Sequence, residues 1–250
     1  MKPENKFEWF SRGRTHVGRV REINQDAFAN FPEKGLWVVA DGMGGHKDGA
    51  VASGEIIRVF KQFEAEKNIG TTTKKIYQQL DNVNEALIKL ATSSEEEGDD
   101  EVIGSTVVVL YAKKQHCVVV WSGDSRLYLF RRGQLKQVTR DHNNEIELLE
   151  QGYTAEEIKV HPHGQILTHA IGGEPKPYLD AQIQEVRHGD IFLLCSDGLN
   201  KEVPDSEIEE VLTQMPYQKA IDFLMELSLQ RGGRDNITIV LAQAVRMDEL

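Results

Sequence analysis

The feature that most restricts the fold is a set of short apolar runs that each stop at an aspartate beside a glycine. Gly35-Leu36-Trp37-Val38-Val39-Ala40 stops at Asp41-Gly42, and Cys117-Val118-Val119-Val120-Trp121 stops at Ser122-Gly123-Asp124. Ile191-Phe192-Leu193-Leu194-Cys195 stops at Ser196-Asp197-Gly198. Residues 106–111, 126–130 and 237–241 are runs of the same kind, the last preceded by Asp235-Asn236. Short β-branched runs bounded by turn residues read as strands. Between them lie helical spacings. Val51, Ile56, Ile57, Val59, Phe60 and Phe63 fit one face over residues 50–63, and Ile76, Leu80, Val83, Leu87 and Leu90 fit another over 72–91. Pro204-Asp205-Ser206-Glu207 opens a third helix, with acids at the positive end of its dipole, and residues 217–229 supply a fourth. Strands and helices segregated in this way predict an α+β fold, antiparallel sheet covered by helices.

No repeat and no Pro- or Ser-rich linker divides the 250 residues, so one domain over 1–250 is expected. Residues 139–173 are polar, contain His142, His161, His163 and His169, and interrupt the strand pattern. They read as an insertion over one end of the sheet, with a flap at about 141–173. Glu95-Glu96-Glu97-Gly98-Asp99-Asp100-Glu101 reads as a solvated loop. A net charge of −11 argues against a nucleic-acid groove or a polybasic membrane surface. Cys117 and Cys195 both sit inside apolar runs, which favours core packing over a disulfide or a thiolate zinc site. His161-Pro162-His163 lacks the i,i+4 spacing of helical zinc ligands, so all four histidines read as polar loop residues. With no signal-like segment and no apolar stretch of membrane length, a soluble, reduced, cytoplasmic protein is the expectation, and a monomer is the default.

The chemistry lies in the placement of carboxylates. Asp26, Asp41, Asp124, Asp197 and Asp235 each fall where an apolar strand reaches an edge. Gathering such charges is unfavourable without cations, and hard divalent metals with oxygen ligands are the natural compensation. Two such ions can generate a nucleophilic water and stabilise an in-line displacement at phosphorus. An arginine fork suits the phosphate oxygens, and Arg21, five residues before Asp26, is a candidate for it, while Arg19-Val20-Arg21 reads equally well as a surface segment.

Arg21-Glu22-Ile23-Asn24-Gln25-Asp26, Asp41-Gly42-Met43-Gly44-Gly45-His46, Gly123-Asp124-Ser125-Arg126, Cys195-Ser196-Asp197-Gly198-Leu199 and Gly233-Arg234-Asp235-Asn236 occur in this order. Together with Ile103-Gly104-Ser105-Thr106 and residues 166–172, this ordered set resembles the metal-dependent PPM (type 2C) Ser/Thr protein phosphatases in their bacterial form. The resemblance runs from about residue 10 to 245. It implies a central β-sandwich of two antiparallel sheets flanked by helix pairs, with a binuclear Mn²⁺ or Mg²⁺ site at one end. Asp41 would bridge the ions and the Gly42 carbonyl would bind one. Asp197 and Asp235 would complete the other, and Asp26 would act through water. Arg21 would hold the phosphate, and Asp124 with Asp197 would reach a weaker third ion.

The implied reaction is hydrolysis of phosphoserine or phosphothreonine on proteins by metal-activated water. The implied partner is a bacterial eukaryotic-like Ser/Thr kinase or that kinase's targets. Three positions depart from the family pattern: Met43 replaces a His of eukaryotic members, Lys201 replaces an Asp that assists the third ion, and His169 stands where an Arg is usual. The Asn200-Lys201 pair resembles members that accompany type VI secretion kinases. A pseudophosphatase on the same fold is the alternative, which the full set of aspartates disfavours. Asp-x-Asp-x-Thr, Gly-Lys-Ser/Thr and Gly-x-Ser-x-Gly motifs are absent, which removes aspartyl-phosphate, P-loop and serine-nucleophile readings.

Overall fold

Residues 7–45, 48–93, 102–154, 157–158, 161, 163–164 and 166–247 are described by a computed structural model of the chain. Two antiparallel sheets stack face to face. The first has the order β1 (Phe7–His16), β11 (Ile237–Arg246), β10 (Ile191–Cys195), β7 (Arg126–Arg131) and β8 (Gln134–Gln137). The second runs β2 (Asp26–Phe31), β3 (Leu36–Met43), β5 (Val107–Lys113), β6 (His116–Ser122) and β9 (Asp180–Glu185). A short β4 (Gly104–Ser105) pairs with the end of β3. Helices α1 (Asp48–Lys61) and α2 (Ile69–Ser93) cover the second sheet. The short α3 (Glu145–Glu150) and α4 (Asp197–Asn200) lie in the connections, and α5 (Asp205–Gln214) and α6 (Tyr217–Gln230) cover the first sheet.

The central strands read as unbroken apolar runs because both of their faces are covered. Along β3, Trp37 and Val39 point into the space between the sheets, with Val108, Leu110, Phe192 and Leu194. Leu36, Val38 and Ala40 point the other way, onto Ile56, Phe60, Ile76 and Leu80 of α1 and α2. The first sheet repeats this, with Leu193, Ile239 and Leu241 packed on Ile208, Ile221 and Leu224 of α5 and α6. Each such side chain contributes about 1.5–3 kcal/mol when fully buried. The helical faces hold with two exceptions, Val51 and Leu90, which are exposed.

The insertion is closed on itself by a bridge between Asn143 and Leu167, and tied to the end of the second sheet by one between Ile171 and Ser105. His142 corrects the expectation of a polar loop residue. It is buried, its Nδ1 accepts the Gly123 N–H at 3.1 Å, and its own N–H donates to the Gly123 carbonyl at 3.0 Å. Burial lowers its pKa, consistent with a neutral ring. His169 stacks on Tyr178 at 4.5 Å, which accounts for an aromatic ring at that position. Cys117 and Cys195 are buried free thiols, and burial pushes the Cys117 thiol up to about 12. His46 and the acidic segment 95–101 lie outside the described residues. Among the described residues no helix is long and apolar enough to cross a membrane.

Candidate active site

The register of β2 against β3 sets the site. Asp26 lies directly opposite Asp41, the last facing pair before the strands diverge. Asp41 does not end its strand; β3 runs on through Gly42 and Met43 to pair with Ser105 and Gly104. The Asp41 backbone is clamped there. Its N–H donates to Thr106 Oγ1 at 3.2 Å, and its carbonyl accepts from the Thr106 N–H at 2.9 Å and from Ser105 Oγ at 3.0 Å. Gly42 is required by space, since a Cβ would sit 1.9 Å from the Gly49 carbonyl oxygen.

Three further turns converge on this pair. After β6, Gly123 adopts φ +102, a left-handed conformation that suits glycine, and turns the chain into Asp124. The next residue, Ser125, shares a 2.6 Å hydrogen bond with Thr106, which joins the Asp124 turn to the Asp41 clamp. After β10, Ser196 donates its hydroxyl to Asp26 Oδ2 at 2.7 Å, and Asp197 opens α4. Before β11, Asp235 accepts a two-pronged pair from Arg21, Nε at 2.9 Å and Nη2 at 3.0 Å. The Arg21 loop is itself pinned by Asn236. That side chain donates to the Val17 and Ile23 carbonyls at 2.8 and 3.0 Å and accepts the Gln25 N–H at 2.7 Å.

The electrostatics show a shortage of positive charge. Burial pushes Asp26 up to about 6, against the pull of the Ser196 hydroxyl. Burial, then the charge of Asp197, pushes Asp124 up to about 7. Asp41 is raised by burial and by Asp26, and Asp197 is raised by burial with Lys201 opposing. One oxygen of Asp26 and one of Asp197 are buried with no hydrogen-bond donor. An orphaned carboxylate oxygen in a native interior calls for a partner, and a set of hard oxygen donors suits Mg²⁺ or Mn²⁺. No three acidic, His or Cys side chains among the described residues close around one point by themselves. Arg21 engages Asp235 and Lys201 engages Asp197. Metals of this class also keep several waters, so a sparse protein ligand set still fits.

An open cleft of about 1320 Å³ adjoins the cluster, lined on one side by Arg21, Asp235, Gly198 and Lys201. Asp141, Asn143, Glu145 and Leu149 of the insertion form part of its other wall. Every aspartate singled out from the sequence thus lies in or beside one cluster. Ser196, Asn236, Thr106 and Ser125, which brace these residues and their turns, lie inside the motifs of the resemblance without their roles being readable there, and His142 lies outside those motifs.

A family model for protein phosphatase 2C matches residues 12–242. The chain is 35% identical to the serine/threonine phosphatase Stp of Listeria monocytogenes over 236 residues, 92% of this chain and 94% of that protein. The structure of PppA, a key regulatory component of T6SS in Pseudomonas aeruginosa, matches with a TM-score of 0.86 at 38% identity, over 94% of this chain and 97% of that one. The catalytic domain of the phosphatase PstP, solved in complex with 2 manganese ions, matches with a TM-score of 0.81 at 32% identity, over 96% of this chain and 99% of that one. Similarity that spans nearly the whole sandwich and its carboxylate end makes the conclusion direct: the chain belongs to the protein phosphatase 2C family, the PPM serine/threonine phosphatases.

Proposed function

We propose that the chain hydrolyses phosphoserine and phosphothreonine on proteins at a binuclear Mn²⁺ or Mg²⁺ centre. Asp26, Asp41, the Gly42 carbonyl, Asp197 and Asp235 would hold the ions. The observation that carries this reading is the buried pairing of Asp26 with Asp41 beside Asp197, with carboxylate oxygens left over. The bound ions would supply an ionised water near neutral pH and offset charge on the phosphoryl oxygens. Ser196 orients Asp26, the Thr106–Ser105 clamp fixes Asp41, and Asn236 positions the loop that carries Arg21.

Arg21 is half-exposed at the cleft mouth, where its planar fork can exchange Asp235 for a phosphate. We read residues 1–250 as one catalytic domain, with 141–173 as the flap beside the cleft. The physiological partner we infer is a Ser/Thr kinase or its targets. The likeness to PppA and the Asn200-Lys201 pair favour a place in type VI secretion control; we read the chain as a monomer of the cytoplasm.

The test is phosphate release from a phosphothreonine peptide at neutral pH, with Mn²⁺ and with EDTA. Release that needs metal and is lost in Asp197→Ala supports the reading. A folded protein that releases nothing with Mn²⁺ in excess overturns it in favour of a binding module. Arg21→Ala is expected to raise KM about tenfold, ~1.4 kcal/mol of phosphate binding, with a smaller fall in kcat. Unchanged KM and kcat would remove Arg21 from the site.

A further inference from the structure

The walls of the cleft carry several cations, and all but one of those described are held by acids of the chain itself. Arg21 meets Asp235 through two hydrogen bonds, and Lys201 pairs with Asp197. Arg126 grips Asp141, with Nε at 3.0 Å and Nη2 at 2.8 Å. Arg234 grips Glu202, with Nε at 2.9 Å and Nη2 at 3.1 Å. Arg140 differs. It is exposed and lines the same cleft, and its guanidinium meets no acid and no acceptor among the described residues.

The backbone of Arg140 is nonetheless fixed. Its carbonyl accepts Trp121 Nε1 at 2.9 Å. Thr139 before it is buried, and the Thr139 hydroxyl accepts the Leu127 N–H at 3.0 Å. Asp141 after it is the carboxylate that Arg126 grips. A held main chain therefore presents an unmatched planar fork to the cleft, a geometry suited to a carboxylate or a phosphate. The chain as a whole is acidic, at −11, and gives an anionic peptide no general attraction. Glu145, on the same wall and also without an ion pair among the described residues, repels an anion placed beside it. Charge complementarity on this wall is thus concentrated at one side chain.

We propose that Arg140 is a specificity-determining residue of the phosphatase: its guanidinium binds an anionic side chain that flanks the phosphoresidue of the substrate, a carboxylate or a second phosphate. The inference rests on the phosphatase reading above and adds to it a preference for acidic or doubly phosphorylated segments. The contact holds the peptide and takes no part in bond cleavage, so it shows in KM.

The test is a set of phosphothreonine peptides, identical except at one position within three residues on either side of the phosphoresidue. That position is in turn Ala, Lys, Glu or a non-hydrolysable phosphonate analogue of phosphothreonine. Rates are measured with Mn²⁺ at pH 7.5 and low ionic strength, where an exposed contact is least screened. The wild type is expected to favour Glu over Ala by about threefold or more in kcat/KM at one or two positions, and the phosphonate at least as strongly. Arg140→Gln is expected to bring both ratios to about one, Arg140→Lys to keep part of them, and Arg140→Glu to shift the preference to Lys. Ratios within one variant cancel any general loss of activity, and circular dichroism verifies folding.

A wild type with no preference for an anion at any position overturns the proposal, and so does a preference that Arg140→Gln retains. Either result leaves the phosphatase reading in place, because phosphate is still released. No metal-dependent release from any peptide overturns that reading and this inference with it. A preference lost in Arg140→Gln supports the proposal, and its source is then read from the series: a second phosphate where the phosphonate alone is favoured, a carboxylate where Glu is favoured as well.

Discussion

Asp41→Asn is expected to lower kcat on the order of a thousandfold or more, ~4 kcal/mol of transition-state stabilisation, while the metal-free protein melts at the same temperature or higher. The two halves of this result have one cause. The Asp41 backbone is held by Thr106 and Ser105, so an isosteric amide keeps its place in β3. Losing the charge removes the proposed bridging ligand. It also removes the repulsion that Asp41 shares with the facing Asp26 and with Asp197, both of which raise its pKa after burial has done so. A variant damaged in its fold would lose stability together with activity. Peptide phosphatase rates set beside thermal melts in EDTA separate the cases. Retention of more than about a tenth of the activity would refute the bridging role.

The apolar interior was legible because strands covered on both faces leave unbroken β-branched runs, as in Val107–Lys113 and Ile191–Cys195. The edge strands were not. Phe7–His16 and Asp180–Glu185 each have one partner strand and a solvent-facing side, so their sequences alternate or turn polar. No turn pair marks them either, because β1 finds its partner β11 at the opposite end of the chain. The site divides in the same way. Asp41, Asp124 and Asp197 could be found because a charge beside a glycine at the end of an apolar run is a local pattern. Asn236 and Ser196 lie in the same motifs but their roles could not be read, since Asn236 acts on Val17, Ile23 and Gln25 and Ser196 on Asp26, contacts that exist only once the sheets have stacked. His142 misled for the same reason. A histidine in a polar stretch looks like a loop residue until the Gly123 turn is seen resting on its ring.

The second large effect is an inverted pH dependence of stability in the metal-free protein. Asp26 and Asp124 titrate near 6 and 7 in the folded chain, with Asp41 and Asp197 also raised, against roughly 3.9 in an unfolded one. A carboxyl whose folded pKa is raised holds its proton more tightly when folded. Its contribution to stability is therefore full below about pH 4 and is lost as pH rises through the folded value. In EDTA the melting temperature should thus fall between about pH 5 and pH 8, on the order of 5–10 °C for a few kcal/mol in a chain of this size. His142 opposes the trend below about pH 6.5, because its lowered pKa makes its protonation costly in the fold. Asp41→Asn isolates the carboxylates: with one member of the cluster neutral, the slope should flatten while the His142 contribution stays. Excess Mn²⁺ should reverse the slope, since ligand carboxylates must shed their protons to bind and the bound form is stabilised by mass action. A metal-free protein that grows steadily more stable from pH 5 to pH 8, with the same slope in Asp41→Asn, would mean that these carboxylates are not crowded and that the site has no shortage of positive charge for metals to fill.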